Sequence, residues 1–250
     1  MAIQENPYLP PTARVADAVE VEGDFIDGGR AVEAGRGSSW IGAGWRTFRA
    51  DPGTWILIAI VLVAISLAVS IVPFIGSFAI QLLMPVFVGG LMIACRRRQN
   101  GEAVGVSDLF AAFQTHVGPL VIVGAVGLGL YILAMIPGAL ILVWAGFGGS
   151  GFGMRAVLGL LVLFALIVPV QMALWFASPL VVFHGLRPTA ALGQSFRACL
   201  RNILPFLIYG AIVFLLAILA TLPLLLGWLA LGPVLIGSVY AAYKDIFFNG

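Results

Sequence analysis

Residues 54–95, TWILIAIVLVAISLAVSIVPFIGSFAIQLLMPVFVGGLMIAC, contain no Asp, Glu, Lys or Arg. A helix needs roughly 20 predominantly apolar residues to cross the hydrocarbon core of a bilayer. The stretch is therefore long enough for two spans, with a tight turn predicted at Pro73 and Gly76. It stops at Arg96-Arg97-Arg98, a charge cluster that cannot follow the chain into lipid and reads as a cytoplasmic stop. The pattern then repeats. Residues 117–186 are interrupted by Arg155 alone, and residues 202–243 again carry no charge.

The composition agrees. The 250 residues are 61% hydrophobic and 10% charged, against about 25% charged in a soluble domain. A formal net charge of +2 is too small to suggest nucleic acid as a partner. Spans are predicted at 55–72, 78–95, 118–136, 156–180, 203–221 and 227–243. Pro137 is expected to bend or end the third, and Pro169 and Pro179 to break the fourth. More generally, the prolines at 85, 137, 169, 179, 205, 223 and 233 read as ends of spans or turns of hairpins. The first 39 residues hold no apolar h-region, so the first apolar run is expected to be a retained span.

Residues 1–39 form an acidic segment, seven acids against three arginines, which buries too little apolar surface to fold alone. It is expected to be a disordered cytoplasmic tail, with 40–250 as the membrane domain. Within it Asn6-Pro7-Tyr8-Leu9-Pro10-Pro11 is a stiff, partly polyproline stretch and a possible handle for a protein partner. Three short amphipathic segments are predicted to lie in the membrane interface. The first follows a cap at Ser38-Ser39, with Trp40, Ile41, Trp45 and Phe48 toward lipid and Arg46 and Arg49 toward headgroups. The second is capped by Ser107, with Leu109, Phe110 and Phe113 on one face. The third covers 188–202, with Leu192, Phe196, Cys199 and Leu200 opposite Arg197 and Arg201.

Orientation follows from the basic residues. Arg46, Arg49, Arg96, Arg97, Arg98, Arg187, Arg197, Arg201 and Lys244 fall in one set of gaps, and Arg155 alone in the other. The positive-inside rule then puts both termini in the cytoplasm of a multi-pass inner-membrane protein. Cys95 and Cys199 would both face that reducing side, so no disulfide is expected.

Self-similarity adds a plan. A shift of 148 residues aligns PVFVGGLMIACR (85–96) with PVLIGSVYAAYK (233–244), and Thr47-Phe48-Arg49-Ala50 with Ser195-Phe196-Arg197-Ala198. A shift of 86 aligns Phe110, Ala112 and Pro119 with Phe196, Ala198 and Pro205. The reading is three units, 40–98, 107–186 and 188–247, each an interfacial helix followed by a transmembrane hairpin, all in one orientation. The fold class is thus an all-α membrane protein of six spans.

The chemistry-bearing residues are few. The spans hold no Asp or Glu, so there is no carboxylate relay for proton coupling. Gln81, Tyr131 and Gln171 could line a shared cavity for a polar group; the structural alternative is interhelical hydrogen bonding. His116, His184, Cys95 and Cys199 lack the close pair spacing of a zinc site, and no phosphate loop, HExxH or GxSxG occurs. No cofactor, metal or catalytic residue is expected. Arg46, Arg49, Arg96, Arg97, Arg98, Arg197 and Arg201 gather at one level and are the expected contacts to anionic lipid.

The chain resembles a family of uncharacterised multi-pass inner-membrane proteins of proteobacteria over residues 40–248. The likeness lies in Trp40-x4-Trp45-x2-Phe48-x3-Pro52-Gly53-x-Trp55 and in Tyr240-Ala-Ala-Tyr243-Lys244-Asp245-Ile246-Phe247. It carries no activity with it. NPYxPPxARV is similar to a string ahead of several unrelated small bacterial membrane proteins. The helix-plus-hairpin plan is similar to the membrane domains of some glycerophosphodiesterases. The function expected is a non-enzymatic scaffold, accessory or lipid-associated membrane protein. The alternative is a channel or carrier for a neutral or amphipathic, lipid-like solute. A cavity reaching the midplane and lined by Gln81, Tyr131 or Gln171 separates the two.

Overall fold

The chain is described by a computed structural model covering residues 24–72, 75–146 and 152–249. The NPYLPP stretch, Pro73 and most of the Gly-rich loop after residue 146 lie outside these residues. The helices are α1 (Arg36–Ala50), α2 (Pro52–Ser70), α3 (Ile75–Gln99), α4 (Ala111–Thr115), α5 (Val117–Gly146), α6 (Phe152–Trp175), α7 (Ala177–His184), α8 (Pro188–Arg201), α9 (Ile203–Thr221) and α10 (Trp228–Phe247). A 3-10 turn, Val106–Phe110, leads into α4.

Five segments are long and apolar enough to cross a membrane: Pro52–Ser70, Ile75–Gln99, Val117–Trp144, Gly153–His184 and Ile203–Thr221. The sixth expected span lies within α10, which is not among the five. Tyr240, Tyr243, Lys244 and Asp245 lower its apolarity. Among the helices of span length it is also the one most enclosed by protein, with Leu231, Val234, Gly237, Ser238, Tyr240, Tyr243 and Phe247 all buried.

Several local expectations are corrected. Ser38 and Ser39 do not cap α1, which starts earlier; their hydroxyls donate back to the Gly35 and Arg36 carbonyl oxygens. Asp51, followed by Pro52, is the cap that separates α1 from α2, accepting the Thr54 N–H. Ser107 does not cap the second short element; the Asp108 carboxylate reaches back to the Gly105 N–H at 2.9 Å. Pro137 and Pro169 do not end spans. They sit inside α5 and α6, as Pro85 and Pro233 do inside α3 and α10, where neighbouring helices tolerate the lost backbone bond. The fourth span does break near Pro179, as expected: the break falls at Phe176, whose N–H is met by Ser195 Oγ at 2.9 Å.

The short helices are packed on protein. α1 lies along α10 and touches α9, burying Trp40 and Phe48; only Trp45 of the expected lipid-facing rings is largely exposed, at 50%. The approach is close: a Cβ on Gly44 would overlap the Val234 carbonyl oxygen, so no residue larger than glycine fits there. α3 packs on the Val106–Phe110 turn and α4, where Gly90 meets the Leu109 carbonyl in the same way. α6 and α7 pack on α8. Leu200, expected on the apolar face of α8, is turned outward at 51% exposure.

Candidate functional site

The chain from Asp24 to Gly35, assigned from sequence to the tail, runs against the end of the bundle. Phe25 pairs with Phe248 in an antiparallel bridge, and the Arg30 N–H donates to the Ile246 carbonyl oxygen at 2.8 Å. Asn202, fully buried, donates to the Arg30 carbonyl and accepts the Val32 N–H, both at 2.8 Å. Asp245 is the hub. Its carboxylate accepts from the Arg36 guanidinium at 2.6 and 2.8 Å and from Trp40 Nε1 at 2.8 Å, with Arg30 at 3.4 Å. Burial pushes its pKa up, yet the bonds from Arg36 and Trp40 and the charges of Arg36 and Arg30 outweigh it, leaving the carboxyl below its ordinary value. This arrangement joins the first helix to the last.

The basic residues gather at the same end, in different employments. Arg97 is held by Glu102 at 2.9 Å and Asp108 at 2.5 Å. Arg96 lies over the Phe183 ring, 4.4 Å from its centroid. Arg201 donates to the Gly29 carbonyl at 2.7 Å and Arg197 to that of Gly193 at 3.3 Å. Arg49 is exposed in the last turn of α1. Arg46 and Arg98 are brought together with Lys244 around a cavity of about 580 Å³, whose walls include Thr47, Cys95, Gln99, Gly237 and Tyr240. Arg98 also donates to the Ala50 carbonyl at 3.1 Å. No acid is among the lining residues, within the described chain. Arg155 lies at the far end over the Trp144 ring.

Gln81, Tyr131 and Gln171 line one second cavity of about 260 Å³, between α3, α5, α6–α7 and α10. Tyr131 donates its hydroxyl to Gln171 Oε1. The floor is apolar: Met84, Val88, Met92, Val123, Leu174, Ile236 and Val239. Trp175 contributes a buried indole Nε1 with no hydrogen-bond partner among the described residues. No lining residue is charged. At 1.5 Å per residue, Pro85 lies about 16 Å and Gln81 about 22 Å along α3 from Arg96.

His184 Nε2 meets the Tyr243 hydroxyl at 2.6 Å, with Phe25 against its ring. His116 bonds to Thr115. Cys95 and Cys199 are free and buried. Burial pushes the Cys199 thiol up to about 12, against a smaller opposing bond from Ser195, so it is not a nucleophile at neutral pH. Among the described residues no three His, Cys, Asp or Glu side chains are grouped to hold a metal.

Lys244, Trp175, Asp245 and Asn202 were missed as site or organising residues. Lys244 carried a signal, since the 148-residue shift lays it on Arg96, and both Lys244 and Asp245 lie in the terminal motif that carries the family resemblance. The others act through contacts some 170 or more residues apart in sequence or, for Trp175, through an indole whose surroundings the pattern does not encode.

Five helices long and apolar enough to cross a bilayer, with a polar and basic cluster at one end, mark an integral membrane protein. The chain is similar to a probable inner membrane protein of Burkholderia thailandensis, with 32% identity over 227 residues, covering 84% of this chain and 82% of that protein. The chain belongs to the family of that protein. No family model and no solved structure matches it.

Proposed function

We propose that this is a non-enzymatic inner-membrane protein that holds a lipid-like, amphipathic molecule in the groove between α3, α5, α6–α7 and α10. The observation that carries the reading is the uncharged cavity lined by Gln81, Tyr131 and Gln171. Its volume is below the roughly 300–1,000 Å³ of pockets that enclose a drug-sized ligand, so it suits a chain segment entering from the side. Gln81 and Gln171 are exposed beside it, and Trp175 Nε1 offers an unused donor. The absence of lining charge favours a neutral or amphipathic guest over an ion.

Six spans are favoured by parity. Phe25 and Phe248 are bridged on one side, which requires an even number of crossings between them, and α10 supplies the sixth. The clustering of Arg46, Arg98, Arg201 and Lys244 at that side favours cytoplasmic termini under the positive-inside rule. The three-unit plan gains support from packing: the second arm of each unit lies on the short helix of the next, α3 on the Val106–Phe110 turn and α4, α6–α7 on α8, and α10 on α1. The aligned residues Thr47, Leu109 and Ser195 meet Gly237, Gly90 and Met172 respectively. NPYLPP remains a proposed handle for a protein partner.

The test is co-purification. Lipids retained by the protein are identified by native mass spectrometry, then compared with Val88→Trp, which fills the cavity. Retention should fall while the melting curve holds. Equal retention in both would reject the groove and leave the scaffold reading.

A further inference from the structure

We infer that the turns joining α2 to α3 and α9 to α10 end inside the hydrocarbon of the far leaflet and are covered by its acyl chains, while the α5–α6 hairpin alone reaches the far headgroups. The inference goes beyond the groove and does not rest on it. The near side is set by the short helices. α1 crosses α9 and α10, with Gly37 against Pro205 and Gly44 against Val234, and α4 and the turn before it lie at Gly89 and Gly90 of α3. Exposed Arg46 and Arg49 on α1, and exposed Gln114 and Thr115 on α4, mark that level as the near headgroups. Reach is then read along the helices at 1.5 Å per residue. The Leu120 side chain of α5 packs on Gly89 of α3. From there α3 has about 21 Å left to Ile75, and α5 about 36 Å to Trp144. Further along, Gly124 backs onto Leu82, with about 10 Å left in α3 and about 30 Å in α5. A tilt of about 40°, the upper end of the usual range, shortens the longer reach of α5 to about 28 Å, so α5 still goes further. α9, tied to α10 by Tyr209 and Ser238 at 2.8 Å, has about 18 Å left from Tyr209 to Thr221. Against a core of about 30 Å, the two short hairpins stop about 10 Å below the far headgroups.

The chemistry of the turns suits that depth. Residues 70–78 and 221–228 contain no charged residue. Ile71 is 78% exposed, Ile75 71% and Leu224 88%. Unpaired backbone donors are costly in hydrocarbon. Here the N–H groups of Ile71, Val72 and Gly76 donate to the carbonyls of Ala68, Val69 and Val72, and those of Leu225, Leu226 and Trp228 to Thr221, Pro223 and Leu225. The Ser70 and Thr221 hydroxyls donate to carbonyls of their own helices, and Ser77 is the remaining hydroxyl. Leu224 and Leu225 have φ of 50° and 67°, a conformation that turns in water assign to Gly, Asn or Asp. The end of the α5–α6 hairpin is different. Trp144 is 55% exposed, with Arg155 over its ring at 4.3 Å, and such an amphipathic ring belongs at the boundary of core and headgroup. Each short hairpin still enters and returns, so the parity that places both termini on one side is unchanged.

The experiment measures depth in the full-length protein, reconstituted in vesicles of dioleoyl phosphatidylcholine with phosphatidylglycerol. Ile71→Cys, Leu224→Cys, Met154→Cys and Leu161→Cys each carry a nitroxide. Collisions with oxygen, which concentrates in hydrocarbon, are compared with collisions with a nickel chelate, which stays in water. Cys95 and Cys199 are buried, and protein with no added cysteine gives the background. Variants are compared where they melt as the wild type does, with Ile75→Cys and Leu222→Cys as second positions in the two turns. Labels at both turns should be oxygen-rich and nickel-poor, as at Leu161 in mid-span, and Met154 beside Arg155 should be nickel-rich. Dilauroyl lipids, which give a thinner core, should raise nickel contact at the turns and leave Met154 unchanged. Turns as nickel-rich as Met154 in dioleoyl vesicles would overturn the inference and place them at the headgroups. Turns poor in both oxygen and nickel, or unmoved by the thinner bilayer, would also overturn it, because protein rather than lipid would then cover them. Lipid retention by the groove is read separately through Val88→Trp, so either idea can fail without the other.

Discussion

At the basic end, Trp40, Phe176, Ile246 and Phe247 are fully or almost fully buried, and Asp245 and Asn202 tie together segments from both ends of the chain. In the opposite half, Leu140, Leu161, Phe164 and Phe214 stand 62–69% exposed. There α5 and α6 meet through small residues, Gly138 against Leu163 and Gly159 against Leu142. The contrast follows from the solvent. Lipid tails offer no hydrophobic reason for helices to associate, so the far half needs only complementary shape. The basic end meets water and headgroups, where ion pairs, caps and buried rings set a specific arrangement. The groove lies where the two regimes join.

Gly44→Leu should break this contrast most severely. Its side chain must displace the α10 backbone at Val234 and Ser238, costing about 3 kcal/mol, read as unfolding in mixed micelles. Gly237→Leu should act in the same direction against Gly44 and Thr47. An unchanged unfolding curve for Gly44→Leu would mean that α1 is not docked on α10.

Asp245→Asn comes next, at about 2 kcal/mol, because it removes a charged acceptor from Arg36 and Trp40. The same carboxylate gives a pH signature. Its folded pKa is depressed, so its stabilisation is full above the ordinary carboxylate value of about 3.9 and is lost as pH falls through the folded value. Acid destabilisation of equal size in wild type and Asp245→Asn would show that another group is responsible.

Tyr131→Phe deletes one interhelical bond in the groove and should cost about 0.6 kcal/mol, with a larger effect on lipid retention than on stability. Leu161→Ala, on the far exposed face, should change stability by about 0.5 kcal/mol or less. A loss there as large as that of Asp245→Asn would erase the distinction between the two halves.

Much of the architecture is legible from charge placement, because a charged residue in hydrocarbon is costly enough to confine it to the gaps. Ile203–Thr221 begins and ends where the run between Asn202 and Pro223 requires. Less legible were features set by neighbours. Pro137 and Pro169 look like terminators in isolation but lie inside helices. Trp40 looks like an interfacial anchor, yet Asp245, 205 residues away, takes its N–H. Gln81, Tyr131 and Gln171 were recognisable as rare polar groups at depth; that they share one cavity depends on how α3, α5 and α6 pack. The basic pocket was half visible, through Arg46 and Arg98, and needed α10 to bring Lys244 beside them.

Photocrosslinking tests the central claim most directly. Phosphatidylglycerol carrying a diazirine in its acyl chain is incorporated with the protein into bilayers, activated, and the labelled peptides are sequenced. The account predicts label on Met84–Met92 of α3 and around Leu174 and Trp175, reduced by Val88→Trp. Label confined to the exposed faces around Phe164 and Phe214, and unchanged by Val88→Trp, would contradict it.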